Sequence, residues 1–106
     1  MKYLLRYTPE AARDMMDVWN GVYGASKDYD TADKYVDELR ELIADKKQFP
    51  FSGVMVKYRG LFTGFYAVRY KKYFAFSRVR GNNIEVVRII MAKRDFMKIL
   101  FGDAED

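Results

Sequence analysis

Apolar residues recur along this chain in two rhythms. Ala12, Met16, Trp19 and Tyr23, with Met15 and Val22 beside them, follow three- and four-residue spacing, which predicts an amphipathic helix. Thr8 stands where a hydroxyl caps that helix, Pro9 suits its first position, and Glu10 sits near its positive dipole end. Gly24 is expected to stop it, leaving residues 24–30 as a loop of small and polar side chains. A second helix opens at Asp30 or Thr31, with Asp33 in its first turn. Its stripe is Ala32, Tyr35, Val36, Leu39, Leu42 and Ile43, and it ends near Lys46 and Lys47, before Pro50. Two helices joined by about six residues form an antiparallel hairpin.

The second rhythm is alternation among aromatic and β-branched residues. Residues 2–6 read as a short first strand, and 54–59, 62–70, 73–79 and 84–91 as four more. Gly81, Asn82 and Asn83 mark a tight hairpin between the last two. Residues 94–101 suit a short helix that Gly102 ends. The order predicts an α+β domain over residues 1–106: an antiparallel sheet, the N-terminal helical hairpin packed on one face, the other face partly open, and a short C-terminal helix. The first strand is expected to insert beside a C-terminal one.

Within the last strand, alternation puts Val87, Ile89 and Met91 on one side and Ile84, Val86, Arg88 and Ile90 on the other. Both sets are largely apolar, so this strand is expected to be central. Arg88 must then reach solvent or an acceptor, either an internal carboxylate or a partner's acidic group. In the strand before it, Tyr73, Ala75, Ser77 and Val79 alternate with Phe74, Phe76, Arg78 and Arg80, a face that turns from aromatic to cationic. Tyr35, Phe62, Phe65, Phe74 and Phe76 are the expected aromatic core, with Phe96, Ile99, Leu100 and Phe101 sealing it.

Composition narrows the chemistry. The 106 residues include no cysteine and no histidine, so disulfides, thiolate nucleophiles, the usual zinc sites and imidazole bases are absent, and no metal or cofactor is expected. No stretch approaches the roughly 18 apolar residues of a membrane span, and Arg6, Pro9 and Glu10 interrupt any signal-peptide core. Cysteine-free chains fit a reducing compartment, and a cytoplasmic location is expected. The net charge of +4 is unevenly spread. Residues 1–50 hold 8 basic and 10 acidic side chains, residues 51–98 hold 11 basic and 2 acidic, and the last eight add a net −3. A basic C-terminal half favours an acidic macromolecular partner. That reading requires the charges to converge on one surface.

Taken in order, these pieces resemble the RelE/ParE superfamily of type II toxin–antitoxin toxins, closer to the ParE-like branch. The resemblance rests on the opening strand with Thr8-Pro9-Glu10-Ala11-Ala12-Arg13-Asp14, the helical hairpin, and the Phe49-Pro50 break. It continues through the 73–79 strand with Gly81, the 84–90 strand, and Lys93-Arg94-Asp95 leading into an apolar helix. It implies a toxin neutralised by a cognate antitoxin, with a toxin homodimer or a toxin–antitoxin heterotetramer as the assemblies to expect. Two targets occur on this fold: DNA gyrase, or the ribosome with its mRNA.

Aligned through Lys93-Arg94, the chain keeps one arginine of the RelE-like nuclease set, Arg94. The paired lysine positions fall at Phe65 and Ala67, an arginine position at Phe74, and the C-terminal tyrosine at Leu100. An arginine alone stays protonated and cannot complete an acid–base system. The resemblance therefore favours a gyrase-binding, non-catalytic toxin, with Arg69, Arg78, Arg80, Arg88, Lys93 and Arg94 as target- or antitoxin-binding candidates. The alternative is a ribosome-dependent mRNA interferase using Arg94 with Tyr73 or Tyr66.

Overall fold

The computed structural model describes residues 2–102; the acidic residues Asp103, Glu105 and Asp106 lie outside them. Strand β1 (Leu4–Tyr7) leads into helices α1 (Pro9–Ser26) and α2 (Tyr29–Ala44), and a short 3-10 turn (Asp45–Lys47) follows. Strands β2 (Val54–Tyr58), β3 (Leu61–Tyr70), β4 (Tyr73–Arg80) and β5 (Asn83–Met91) form a meander that ends in helix α3 (Phe96–Phe101). The sheet order is β1-β5-β4-β3-β2. The first strand does insert beside the last, and it runs parallel to it, so an otherwise antiparallel sheet is mixed.

Two apolar layers flank the sheet. Ala11, Met15 and Val18 of α1 and Val36, Leu39 and Ile43 of α2 pack on Ala75, Val86 and Ile89. On the opposite face Val56, Ala67, Phe76 and Ile90 are covered by Phe96, Met97, Ile99, Leu100 and Phe101, so α3 closes much of the face expected to be open. Phe62, expected in the core, is 42% exposed.

Three expectations about the helices and β5 need correction. Gly24 does not stop α1. The helix continues to Ser26, and Lys27 ends it in the left-handed conformation (φ 56°), donating its N–H to the Tyr23 carbonyl. A helical glycine costs only about 1 kcal/mol, so packing overrides it, and the connection shrinks to Lys27 and Asp28. The sheet-facing stripe of α1 is Ala11, Asp14, Met15 and Val18, rotated from the expected one, while Ala12 and Met16 are exposed. The buried carboxylate of Asp14 hid that stripe from a purely apolar count. In β5, Ser77 pairs with Val86 but Phe76 pairs with Arg88, so Val87 is an extra, bulged residue. Alternation breaks there, which puts Val86 and Ile89 together under the helices and Ile90 in the α3 layer.

The path of α1 follows from β1 being short. β1 pairs with only the first four residues of β5, leaving the rest of that edge without a strand. Thr8 donates its N–H to the Val86 carbonyl (3.0 Å). Its hydroxyl donates to the Val87 carbonyl (2.9 Å) while accepting the Ala11 N–H as the α1 cap. Six residues on, Asp14 accepts the Ile89 N–H (2.8 Å) and the Arg88 guanidinium through Nε (2.7 Å) and an Nη (3.2 Å). Side chains of α1 thus occupy the place of a neighbouring strand.

Removing that carboxylate strands a buried N–H and a half-buried guanidinium together. We expect Asp14→Ala to cost about 3 kcal/mol in urea denaturation, toward the low end for a broken buried pair because Arg88 keeps some contact with water. Asp14→Asn retains an acceptor for Ile89 and should lose roughly half as much. Equal stability of both variants and the parent would show that the edge is held by other contacts.

Candidate functional site

Strand register sorts the basic residues into two groups at opposite ends of the sheet. Arg69, Lys71 and Lys72 surround the β3–β4 turn. Lys93 and Arg94 follow β5 at the same end, since Tyr73 pairs with Met91 and Ala92 donates its N–H to the Lys72 carbonyl (2.7 Å). Arg80 closes the far end of β4, about 23 Å from Tyr73 at 3.3 Å per residue, and Arg78 lies two residues before it. Arg88 lies between them on the β5 edge, engaged by Asp14. The six candidates do not form one patch.

Several are committed to the fold. Arg69 donates Nε to the Lys71 carbonyl (2.8 Å) and lies over the Phe74 ring, bracing a turn in which Lys71 has φ 53°. Arg78 bonds Glu85 (2.9 Å) across the strand pair and lies over Phe65. That bond is the main reason the Glu85 carboxyl titrates below its ordinary value. Arg80, Lys93 and Arg94 are exposed.

Arg94 faces a cleft of about 260 Å³ between α1 and the β4–β5 end of the sheet, lined also by Asp17, Gly21, Tyr73, Arg88 and Met91. The Tyr73 hydroxyl lies beside Gly21 of α1, where a Cβ would sit in ordinary contact with it at 3.5 Å. Burial pushes the Tyr73 phenol above its ordinary pKa, helped by Tyr35 and Asp17, so it holds its proton near neutrality and is a poor base. No lysine lines this cleft among the described residues. Tyr66, the other tyrosine considered for RNA chemistry, is elsewhere. It packs edge-on to Phe51 and Phe62, beneath the ammonium of Lys46. The structure therefore unites Arg94 with Tyr73 and separates both from Tyr66.

The four positions that the resemblance assigns to nuclease chemistry share a single environment. Ala67 is buried in the α3 layer, and Phe65, Phe74 and Leu100 pack against it. None faces the Arg94 cleft.

Sequence reasoning missed a polar cluster beside the cleft. Tyr70 donates to Glu38 of α2, while Tyr35 meets the Tyr70 and Tyr73 rings edge-on and Lys71 lies 5.2 Å over both the Tyr35 and Tyr70 rings. The Tyr35 spacing was visible as part of a helical stripe, but its meeting with Tyr70 depends on how α2 crosses the sheet. Lys46 was likewise read as a helix-end charge. It is buried, donates to the Ser52 carbonyl (2.5 Å) and so pins the segment leading into β2. Burial lowers its pKa.

This fold occurs in known toxins. A chain of the chromosomal ParDE TA system from P. aeruginosa matches with a TM-score of 0.72 at 22% identity, covering 86% of this chain and 97% of that one. A chain of the RelBE2 toxin–antitoxin complex from Mycobacterium tuberculosis matches at 0.62 and 16% identity, covering 86% and 99%. The YoeB/ParE toxin from Agrobacterium tumefaciens matches at 0.57 and 18%, covering 83% and 96%. Among curated protein sequences none matches significantly. The family model of the ParE toxin of type II toxin–antitoxin systems matches residues 5–96, and the chain belongs to that family.

The tyrosine cluster has a measurable consequence. Burial, the hydrogen bond to Glu38 and the Glu38 charge push Tyr70 up to about 12, and burial also raises Tyr7, Tyr35 and Tyr73. A phenol with a raised pKa keeps its proton in the folded state after the unfolded chain has ionised. Stability should therefore fall as pH rises above 10.0, the ordinary tyrosine value, toward about 12. Absorbance titration at alkaline pH should show a last ionisation step that Tyr70→Phe removes and Glu38→Gln moves to lower pH. A single step at the ordinary value would contradict the cluster.

Proposed function

We propose that this ParE-family chain is the toxin of a type II toxin–antitoxin module, a single domain that binds DNA gyrase and is neutralised by a cognate antitoxin. The observation that carries the non-catalytic reading is the apolar replacement of the nuclease positions. Phe65, Ala67, Phe74 and Leu100 can neither activate a 2′-hydroxyl nor protonate a leaving oxygen, and all four are occupied in packing α3. Arg94 and Lys93, exposed at the end of β5, are the cations free to meet an acidic surface on the target. The antitoxin relation follows the family, and the ParDE and RelBE2 neighbours are described as toxin–antitoxin systems. A cytoplasmic location accords with such a target.

The mRNA-interferase reading keeps one specific support, the cleft shared by Arg94 and Tyr73. In it Arg94 would offset charge on the scissile phosphate, but a phenol held protonated and no lysine beside it leave the 2′-hydroxyl without a base.

Purified protein should inhibit gyrase supercoiling, and Arg94→Ala should weaken inhibition roughly tenfold, the equivalent of about 1.4 kcal/mol, without altering thermal stability. The co-expressed antitoxin should restore supercoiling. Full gyrase activity at excess toxin, together with cleavage of a translated message in primer extension, would replace this reading with the nuclease one.

A further inference from the structure

We propose that the β2–β3 ribbon, with the strap of residues 48–53 before it, is an edge that seats in the surface of an anionic lipid layer. Large exposed apolar side chains gather there: Phe49 and Phe51 of the strap, Val54 and Met55 of β2, Leu61 and Phe62 of β3. Their exposures run from 42% at Phe62 to 73% at Leu61. Contiguous apolar surface of this kind marks a contact with a partner or a membrane.

The strap is fixed in place. Lys46 donates to the Ser52 carbonyl, and Gly53 (φ 98°) passes so near β3 that a Cβ would lie 2.6 Å from the Ala67 carbonyl oxygen. Phe51 is thereby held edge-on to Tyr66 (ring centroids 5.8 Å), and Phe62 packs on the same ring (5.3 Å).

Strand register makes the edge apolar on both faces. Val54 pairs with Ala67 of the α3 layer, and Leu61 pairs with Tyr58, which packs on Phe101 of α3. Val54 and Leu61 therefore lie on the α3 side. Met55 pairs with Tyr66, and Phe62 packs on that ring. Tyr66 shares its side of β3 with Val68 and Tyr70, which lie under the helical hairpin. A partner helix covers one face of a ribbon and leaves the other in water. A lipid interface closes over both faces and around the tip, and only such an occupant covers all these side chains at once.

Charge names the lipid. No acidic residue stands between Asp45 and Glu85 in the sequence, so ribbon and strap carry cations alone. Lys47, Lys57 and Arg59 are exposed beside the apolar groups, with Arg59 over the Tyr58 ring next to the ribbon's tip. Phenylalanine, leucine and methionine reach the acyl boundary while the lysine stems carry their ammonium groups to the headgroups. No residue of this edge lines the Arg94 cleft, so the contact is additional to the one proposed for the toxin's target.

Co-sedimentation of the purified protein with phosphatidylglycerol vesicles tests this, with phosphatidylcholine vesicles as the uncharged comparison. The parent chain should bind the anionic vesicles roughly tenfold or more tightly than the neutral ones. Leu61→Ser on one face and Met55→Ser on the other should each weaken that binding roughly fivefold, with thermal stability unchanged because both side chains are exposed. Lys57→Glu should weaken it roughly tenfold. Gyrase inhibition in vesicle-free solution should be the same in all three variants. Losses from both faces support the seating. Absence of binding to phosphatidylglycerol overturns it, as does binding that survives both serine substitutions, which is adsorption by charge alone. A loss confined to one face also overturns it and makes that face the docking site of an acidic protein chain.

Discussion

Where β1 stops, β5 still has five residues to run, and each of their edge-facing peptide groups needs a partner. Water could supply some, but this stretch lies against α1 and part of it is buried. The chain meets the requirement with two side chains one and a half turns apart on a helix. Thr8 takes the Val87 carbonyl, and Asp14 takes the Ile89 N–H. That contact fixes the rotation of α1 about its axis, so Ala11, Met15 and Val18 point into the core and Met16 points away from it. It also fixes the position of Arg88, whose pKa is raised chiefly by its hydrogen bond to Asp14. The Arg94 cleft is formed against the same helix and contains both members of that ion pair. The site is a consequence of closing one edge of the sheet.

The charge distribution bears on how the protein meets a partner. A basic C-terminal half suggests a single positive surface, but strands reverse direction, and a meander distributes consecutive cations alternately to its two ends. Arg78 and Arg80 precede one turn while Lys71 and Lys72 lie in another, separated by the length of β4. Of the cations in this half, Arg69, Arg78 and Arg88 each have an internal acceptor. What remains for intermolecular contact at the cleft end is a smaller set headed by Lys93 and Arg94, next to acidic Asp17. A surface with adjacent charges of both signs gives orientation as well as attraction.

Much of the fold was legible in the sequence because helix and strand periodicities are local. Both helices, all five strands, the Gly81 hairpin and the terminal helix lie within a few residues of where spacing put them. The failures arose where tertiary contacts overrode the local pattern. Asp14 belongs to the buried face of α1 because Ile89 needs an acceptor 75 residues away. Lys46 is buried because the Ser52 carbonyl receives it. The bulge at Val87 has no signature in composition, yet it reverses which β5 side chains face the helices. The candidate site was legible only in part. Arg94 and Tyr73 were named and line one cleft, whereas Tyr66 was grouped with them by residue type and packs farther along the same face of the sheet, against Phe51, Phe62 and Lys46.

The α3 layer connects fold stability to what that face of the sheet can present. A phosphodiester-cleaving face needs lysine, arginine and tyrosine presented to solvent, and hydration of such groups resists burial. Here the corresponding positions are Phe65, Ala67 and Phe74 beneath α3 and Leu100 within it. Phe96 contacts both Phe74 and Phe76, and Phe101 contacts Phe65 and Tyr58, so the helix is anchored along its length by aromatic pairs. Introducing one charged group beneath α3 would have to expel the helix or leave the charge unsolvated. Building a charged face there would thus require several simultaneous changes and the surrender of a core layer. With that face of the sheet filled, the rims of the sheet and the helix-lined cleft are what this protein leaves for contact with other molecules.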